Sequence, residues 1–128
     1  YLPADFDVQR LFEAFFKFKG IEENAKYGNN YDYNRAIYLM EHHDFLENGF
    51  CIIKESEQTS APVSVLHYER YQSLETLEQE LESKKEELQC VVSKHLNLEG
   101  SVNFGESQQP KLWDYADNVD TLKFLRSL

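Results

Sequence analysis

Three groupings in this chain are of residue types that do chemistry. Glu41, His42, His43 and Asp44 run together as "EHHD". They are metal-ligating types, and His67 and His95 are available to join them. Zinc ligands on a helix stand three or four residues apart so that they share a face, whereas adjacent residues diverge by about 100°. The run therefore reads first as a solvated helix end with partly charged histidines, and no metal is expected. Cys51 in "GFCII" and Cys90 in "LQCVV" are the two thiols. A cysteine beside a base is a nucleophile. Both of these lie in apolar strings that predict buried strands, where a thiolate is costly. They read as small buried hydrophobes, bridged only if their strands are neighbours. The third grouping is "NFGESQQP", where Asn103, Gln108 and Gln109 offer uncharged donors and acceptors at the end of a predicted strand. Open α/β sheets bind ligands at such strand ends. A plainer reading makes the stretch a capped turn, with Asp114, Asp117 and Asp120 on backbone amides or in water. There is no P-loop, G-x-G-x-x-G or G-x-S-x-G string, so the chain holds no complete recognisable catalytic centre.

Charge and composition narrow the classes. The net charge is −10, which disfavours phosphate-driven nucleic-acid binding and anionic membrane surfaces. Aromatics make up 14% of the residues, enough to expect a packed core rather than disorder. No apolar run approaches the ~20 residues of a membrane span. The start, "YLPADFDVQR", has neither the basic nor the apolar region of a signal peptide. With two cysteines and no export signal, a reducing cytoplasm is expected. The absence of an initiator Met, with "YLP" reading as a strand end entering a turn, points to a piece of a longer chain.

The elements that must position these residues alternate. "DFDVQRLFEAFFKFKG" predicts a helix started by Asp5 or Asp7 and ended by Gly20, with Leu11, Phe12, Phe15 and Phe16 as its apolar stripe. "IEENAKYGNN" reads as a polar connection. Asn29 or Asn30 then caps "YDYNRAIYLMEHH", with Tyr33, Ile37 and Met40 on one side and Asp32, Arg35 and Glu41 toward water. Asn48-Gly49 marks a turn. "GFCIIKE" predicts a buried strand, "SEQTSAP" a loop, and "VSVLHYERY" a strand opened by Pro62. Ser73 caps a helix with a Leu74, Leu77, Leu81 stripe and a Glu80–Lys84 pair. "LQCVVS" predicts another buried strand, and "SVNF" a further one. Pro110 suits the first turn of a short helix through "KLWDY", and "TLKFL" a last strand or helical end. Val63 to Ser93 has the order and length of a βαβ unit. The expected fold class is α/β, a βαβ-containing sheet flanked by helices, with residues 1–128 as a single domain or fragment.

The strings "NNYDYNRAIYLM", "ENGFCIIKE", "APVSVLHYERY", "LQCVVS" and "FGESQQPKLWDYADNVDTLKFL" resemble, in the same order, the C-terminal part of LuxC-type acyl-CoA reductases. The likeness is nearest to versions from Bacteroidetes-type bacteria. It spans nearly the whole chain, and its last block is the most specific. The family belongs to the aldehyde dehydrogenase superfamily. The resemblance implies the C-terminal portion of such a catalytic domain, in a parent enzyme that takes an acyl group from acyl-CoA onto a cysteine. The cofactor, NADP or NAD in its reduced form, then supplies the hydride that releases a fatty aldehyde. The nucleophilic cysteine and the dinucleotide-binding half lie upstream, so this segment is expected to be inactive alone, with no cofactor bound. Neither Cys51 nor Cys90 aligns with the nucleophile. The superfamily's Glu-x-Phe-Gly-Pro falls on "EQTSAP": Pro62 matches, Gln58 takes the Glu position, and Glu57 is a displaced candidate for the nicotinamide ribose. "NFGE" echoes the superfamily's "PFGG", which makes Phe104 and Gly105 substrate-side candidates beside Asn103 and Gln108. A homo-oligomer through the C-terminal tail is a further expectation. The alternative is a free-standing acidic protein-interaction module.

Overall fold

Phe50, Cys51, Ile52 and Ile53 are consecutive apolar residues, and all are buried. Successive strand residues face opposite sides, so an unbroken apolar run needs cover on both faces. The structure, a computed structural model, describes residues 1–96, 98, 100–115 and 119–128. It divides into two compact units, Tyr1–Gln72 and Ser73–Leu128.

In the first unit, strand β1 (Leu2–Pro3) precedes helix α1 (Gln9–Phe15), a 3₁₀ helix (Phe16–Glu23) and helix α2 (Ala25–Met40). Strands β2 (Leu46–Glu47), β3 (Ile52–Glu55), β4 (Val65–Tyr68) and β5 (Arg70–Tyr71) follow. A three-stranded sheet has the order β2-β3-β4. β2 pairs antiparallel with β3 across the Asn48-Gly49 turn, and β3 pairs parallel with β4 in the register Ile52↔Val65 through Glu55↔Tyr68. On one side Ile53 packs with Val8, Phe50 and Cys51, backed by Leu11, Phe12 and Phe15. On the other, Ile52 packs with Tyr31 and Tyr38. β1 and β5 form a separate parallel pair. Arg70 holds that pairing from the side chain, donating from Nη1 to the carbonyls of Pro3, Ala4 and Phe6 at 3.3, 2.8 and 3.1 Å.

The second helix differs from its sequence reading. It starts at Ala25 because Asn24 accepts hydrogen bonds from the Lys26 and Tyr27 amides, an N-cap that uses two otherwise orphaned donors. Its buried residues are Tyr31, Asn34 and Tyr38, with Ile37 partly buried beside them as expected, while Tyr33 and Met40 are exposed. Gly20 does not end the first helical segment; the chain tightens into 3₁₀ geometry and runs through it.

In the second unit, helix α3 (Leu74–Ser83) is capped by the Ser73 hydroxyl, which accepts from the Thr76 amide at 3.2 Å. Leu77 and Leu81 are buried and Leu74 lies at the exposed edge of the stripe. Helix α4 (Thr121–Arg126) resolves "TLKFL" as helical, capped by Asp120 on the Lys123 amide.

The coarse α/β class holds, but the expected βαβ unit does not form. Residues 84–88 leave α3 in successive turns, carried by Lys84, Lys85, Glu86 and Glu87. Among the described residues "LQCVV" and "SVNF" then meet in one isolated parallel bridge, Val92 with Val102. The parallel partner of β4 is β3 instead, and the connection between them, residues 56–64, contains no helix. A parallel crossover normally takes a dozen residues or more. Here the strands have four residues each, roughly 13 Å at 3.3 Å per residue. A nine-residue strap reaches up to about 30 Å, which suffices to return. The helix foreseen after Pro110 is also absent: Lys111–Asp114 is a turn, closed by Asp114 accepting from the Lys111 amide at 2.7 Å. No helix among the described residues is long and apolar enough to cross a membrane.

Candidate functional site

The strap from Ser56 to Ser64 carries Glu57, Gln58 and Pro62 together. It leaves β3 with the Ser56 amide bonded to the Tyr68 carbonyl at 3.0 Å. Ser56 Oγ accepts from the Gln58 amide at 3.2 Å, and the Gln58 carbonyl lies 3.2 Å from His67 Nδ1. At its far end the Val63 carbonyl accepts from Asn34 Nδ2 on α2 at 2.9 Å. Ser64, buried and at φ 71°, takes a left-handed turn there; its hydroxyl donates to Val63 and its carbonyl accepts from the Ile52 amide. Side chains rarely adopt that backbone region, and such strain persists only where neighbours over-determine it. Glu57, Gln58 and Pro62 are all exposed. Among the described residues the Glu57 carboxylate and the Gln58 side-chain amide have no ion pair or hydrogen bond. An uncommitted carboxylate and an amide beside it fit a ribose diol, the one accepting from hydroxyls and the other both donating and accepting.

The second group of sequence candidates lies in the other compact unit. Asn103 Nδ2 and its backbone amide both donate to Glu106 Oε2, at 3.0 and 3.3 Å, so its donors are committed to the turn. Gly105 has φ 85° and its carbonyl accepts from Gln109 Nε2 at 3.1 Å. Phe104 is 73% exposed, an apolar ring held out beside this turn, and the Gln108 side chain is exposed. Both the turn-capping and the ligand reading of this stretch thus keep structural content: Asp114 and Asp120 bind backbone amides, while Phe104 and Gln108 remain available. Asp117 lies outside the described residues.

The cysteines separate. Cys51 is buried, and desolvation pushes its thiol up from the usual range, against thiolate formation. Cys90 is exposed, contrary to its sequence reading, because its segment never joins a sheet; both thiols are free. The histidine pair proves to be a helix stop. The His42 amide bonds to the Leu39 carbonyl and the His43 amide to the Tyr38 carbonyl, the two-bond pattern of a Schellman cap. His42 takes the left-handed position at φ 56°, and the His43 ring packs edge-on against Tyr38 at 5.4 Å. Among the described residues no three metal-ligating side chains gather.

A further cluster escaped the sequence reading. Tyr31 Oη and Arg35 Nε both donate to Glu47 Oε2, at 2.7 and 2.6 Å. The Arg35 hydrogen bond, with help from Tyr31, holds the Glu47 carboxyl below its usual range. Burial, then the Glu47 bond and charge, push Tyr31 up to about 12. Tyr27 Oη donates to the Phe50 carbonyl at 2.8 Å. Tyr27, Tyr31, Phe50, Glu22 and Asp32 border a cavity of about 280 Å³, just under the span of small-molecule pockets. The spacing Tyr27, Tyr31, Asn34, Tyr38 is the signal that marks this face, and it becomes legible once Asn24 is taken as the cap. Searches against protein-family models, curated proteins and solved structures found no match.

Proposed function

We propose that these residues are the C-terminal part of the catalytic portion of an NAD(P)H-dependent acyl-CoA reductase, which converts acyl-CoA to a fatty aldehyde. The observation that carries the reading is the closing string "FGESQQPKLWDYADNVDTLKFL", resembling the end of that family, with four further blocks in the family's order before it. In the reaction, a cysteine thiolate outside these residues attacks the thioester carbonyl; its C–S bond to coenzyme A breaks and the coenzyme leaves as thiolate. Reduced nicotinamide supplies a hydride to the carbonyl carbon of the enzyme-bound thioester. The C–S bond to the enzyme then breaks, the aldehyde departs and the cysteine thiolate is restored.

This chain's residues serve as scaffold and pocket wall. Glu57, with Gln58 and Pro62 on the same strap, is placed to accept hydrogen bonds from the cofactor ribose. Phe104 offers an apolar surface to the acyl chain, Gly105 lets the backbone turn beside it, and Gln108 supplies a free amide. Asn103 maintains the turn through Glu106. The buried, raised thiol of Cys51 supports placing the nucleophile elsewhere. The test is acyl-CoA-dependent NADPH oxidation, followed at 340 nm, by this segment and by the full parent chain. Turnover by the parent alone is expected. Turnover by the segment, or none by the parent with either NADPH or NADH, would refute the reading.

A second reading is favoured by one observation: Leu112 and Trp113 are 97% and 69% exposed. A free-standing acidic interaction module presents such residues to a partner. Trp113 is the sole tryptophan, so its emission reports the difference. Addition of the separately produced upstream half, itself lacking tryptophan by substitution, shifts that emission to the blue under the first reading and leaves it unchanged under the second.

A further inference from the structure

We infer that His67 is a positioning residue: it fastens the strap through the Gln58 carbonyl and so fixes Glu57 and Gln58 for contact with the nicotinamide cofactor. The identity of that ligand rests on the acyl-CoA reductase reading; the fastening rests on geometry alone. His67 stands in the middle of β4, in register with Lys54 of β3. Its Nδ1 lies 3.2 Å from the Gln58 carbonyl oxygen. A carbonyl only accepts, so Nδ1 carries the proton, and in the neutral ring Nε2 presents a bare lone pair. Nε2 is buried and has no partner among the described residues.

An aliphatic side chain is the ordinary choice for a half-buried strand position, and it makes no hydrogen bond. What the imidazole adds is the Nδ1 bond. With the Gln58 amide on Ser56 Oγ and its carbonyl on His67, both main-chain groups of Gln58 are fixed. Its side chain and the neighbouring Glu57 carboxylate are left to face outward. Hydride transfer depends on near-ångström placement of its partners, and a surface strap without secondary structure supplies that only if it is tied down.

The test uses two variants in the full parent chain, His67→Leu and His67→Asn. The Asn amide nitrogen stands near the place of Nδ1 and can donate to the same carbonyl. His67→Leu is expected to raise KM for the reduced nicotinamide about 5- to 10-fold, with KM for acyl-CoA unchanged within 2-fold. His67→Asn is expected to restore most of the loss. In the 128-residue chain, amide hydrogen exchange at residues 57–59 accelerates in His67→Leu and not in His67→Asn. Unchanged exchange overturns the fastening. Accelerated exchange with an unmoved cofactor KM overturns the positioning role. A parent chain without reductase activity removes the reading and the ligand with it, and the exchange measurement still decides the fastening.

Discussion

Ile52 and Ile53 are neighbours in sequence, both 0% exposed, and serve two different cores. Ile53 meets Val8, Phe50 and Cys51, whereas Ile52 meets Tyr31 and Tyr38. Trimming each to Val removes one methylene from a fully packed site, at about 1 kcal/mol each. With a urea m-value of ~2 kcal/mol/M, each variant should lower the unfolding midpoint by about 0.5 M. Because the two side chains leave β3 on opposite faces and share no buried partner, the double variant should lose about 2 kcal/mol, additive within ~0.5 kcal/mol. NMR adds a sidedness check. Ile52→Val should move the ring resonances of Tyr31 and Tyr38, and Ile53→Val those of Phe50 and Phe12. A midpoint shift below ~0.1 M for either single variant, with intact chemical-shift dispersion, would mean that one face of β3 is not packed. Coupling above about 1 kcal/mol, or both variants moving the same rings, would mean that one core and not two surrounds the strand.

Three further outcomes follow from local geometry. His42→Gly relieves a left-handed non-glycine cap and should stabilise the chain by about 0.5–1 kcal/mol, read as a higher urea midpoint; a loss of stability would contradict the assigned helix stop. A chromogenic disulfide reagent at pH 8 should label Cys90 promptly and Cys51 only on unfolding, since Cys51 is buried with its thiol pushed up; two fast thiols in the folded chain would contradict the buried placement. Glu47 is held below its ordinary value of 4.5 by Arg35 and Tyr31, so between the two values the unfolded chain binds more protons and stability falls with acid. The contribution is full above pH ~5 and is lost as pH falls through the folded value; Glu47→Gln should flatten that part of the acid limb, and an unchanged limb would argue against the cluster.

Patterns carried by several residues at once were legible in the sequence. "GFCII" reads as a buried strand, Ser73 followed by a leucine stripe reads as the opening of an amphipathic helix, and Asn48-Gly49 is where the hairpin turns. Errors arose where two segments competed for one partner. Both "GFCIIKE" and "LQCVVS" were plausible parallel neighbours for β4, and periodicity does not choose between them. The choice falls to packing: Ile52 and Ile53 bury completely, while Val92 is 38% exposed behind a run of four charged residues. The start of α2 was lost to a different competition, Asn24 against Asn29 and Asn30. A cap at Asn29 or Asn30 leaves Tyr27 outside the helix and hides the repeat Tyr27, Tyr31, Asn34, Tyr38, which marks the inward face that Tyr33 and Met40 do not share.

The strap itself left a trace in sequence that pattern reading treats as noise. Polar residues on otherwise inward-facing positions are uncommon and costly unless bonded. In the first unit, Asn34 on α2 and Ser64 before β4 are the buried polar residues, and His67 on β4 is half-buried. All three act on the strap: Asn34 through the Val63 carbonyl, His67 through the Gln58 carbonyl, and Ser64 as its left-handed last residue. Each breaks the apolar pattern of the element it sits in or adjoins, and each bonds or shapes the main chain of the helix-free crossover. The misfit residues of α2 and β4 thus encode the connection between β3 and β4. An exposed loop bearing Glu57 and Gln58 is held at both ends by side chains drawn from the rigid elements on either side of it, which is what a ligand-contacting loop requires of its scaffold.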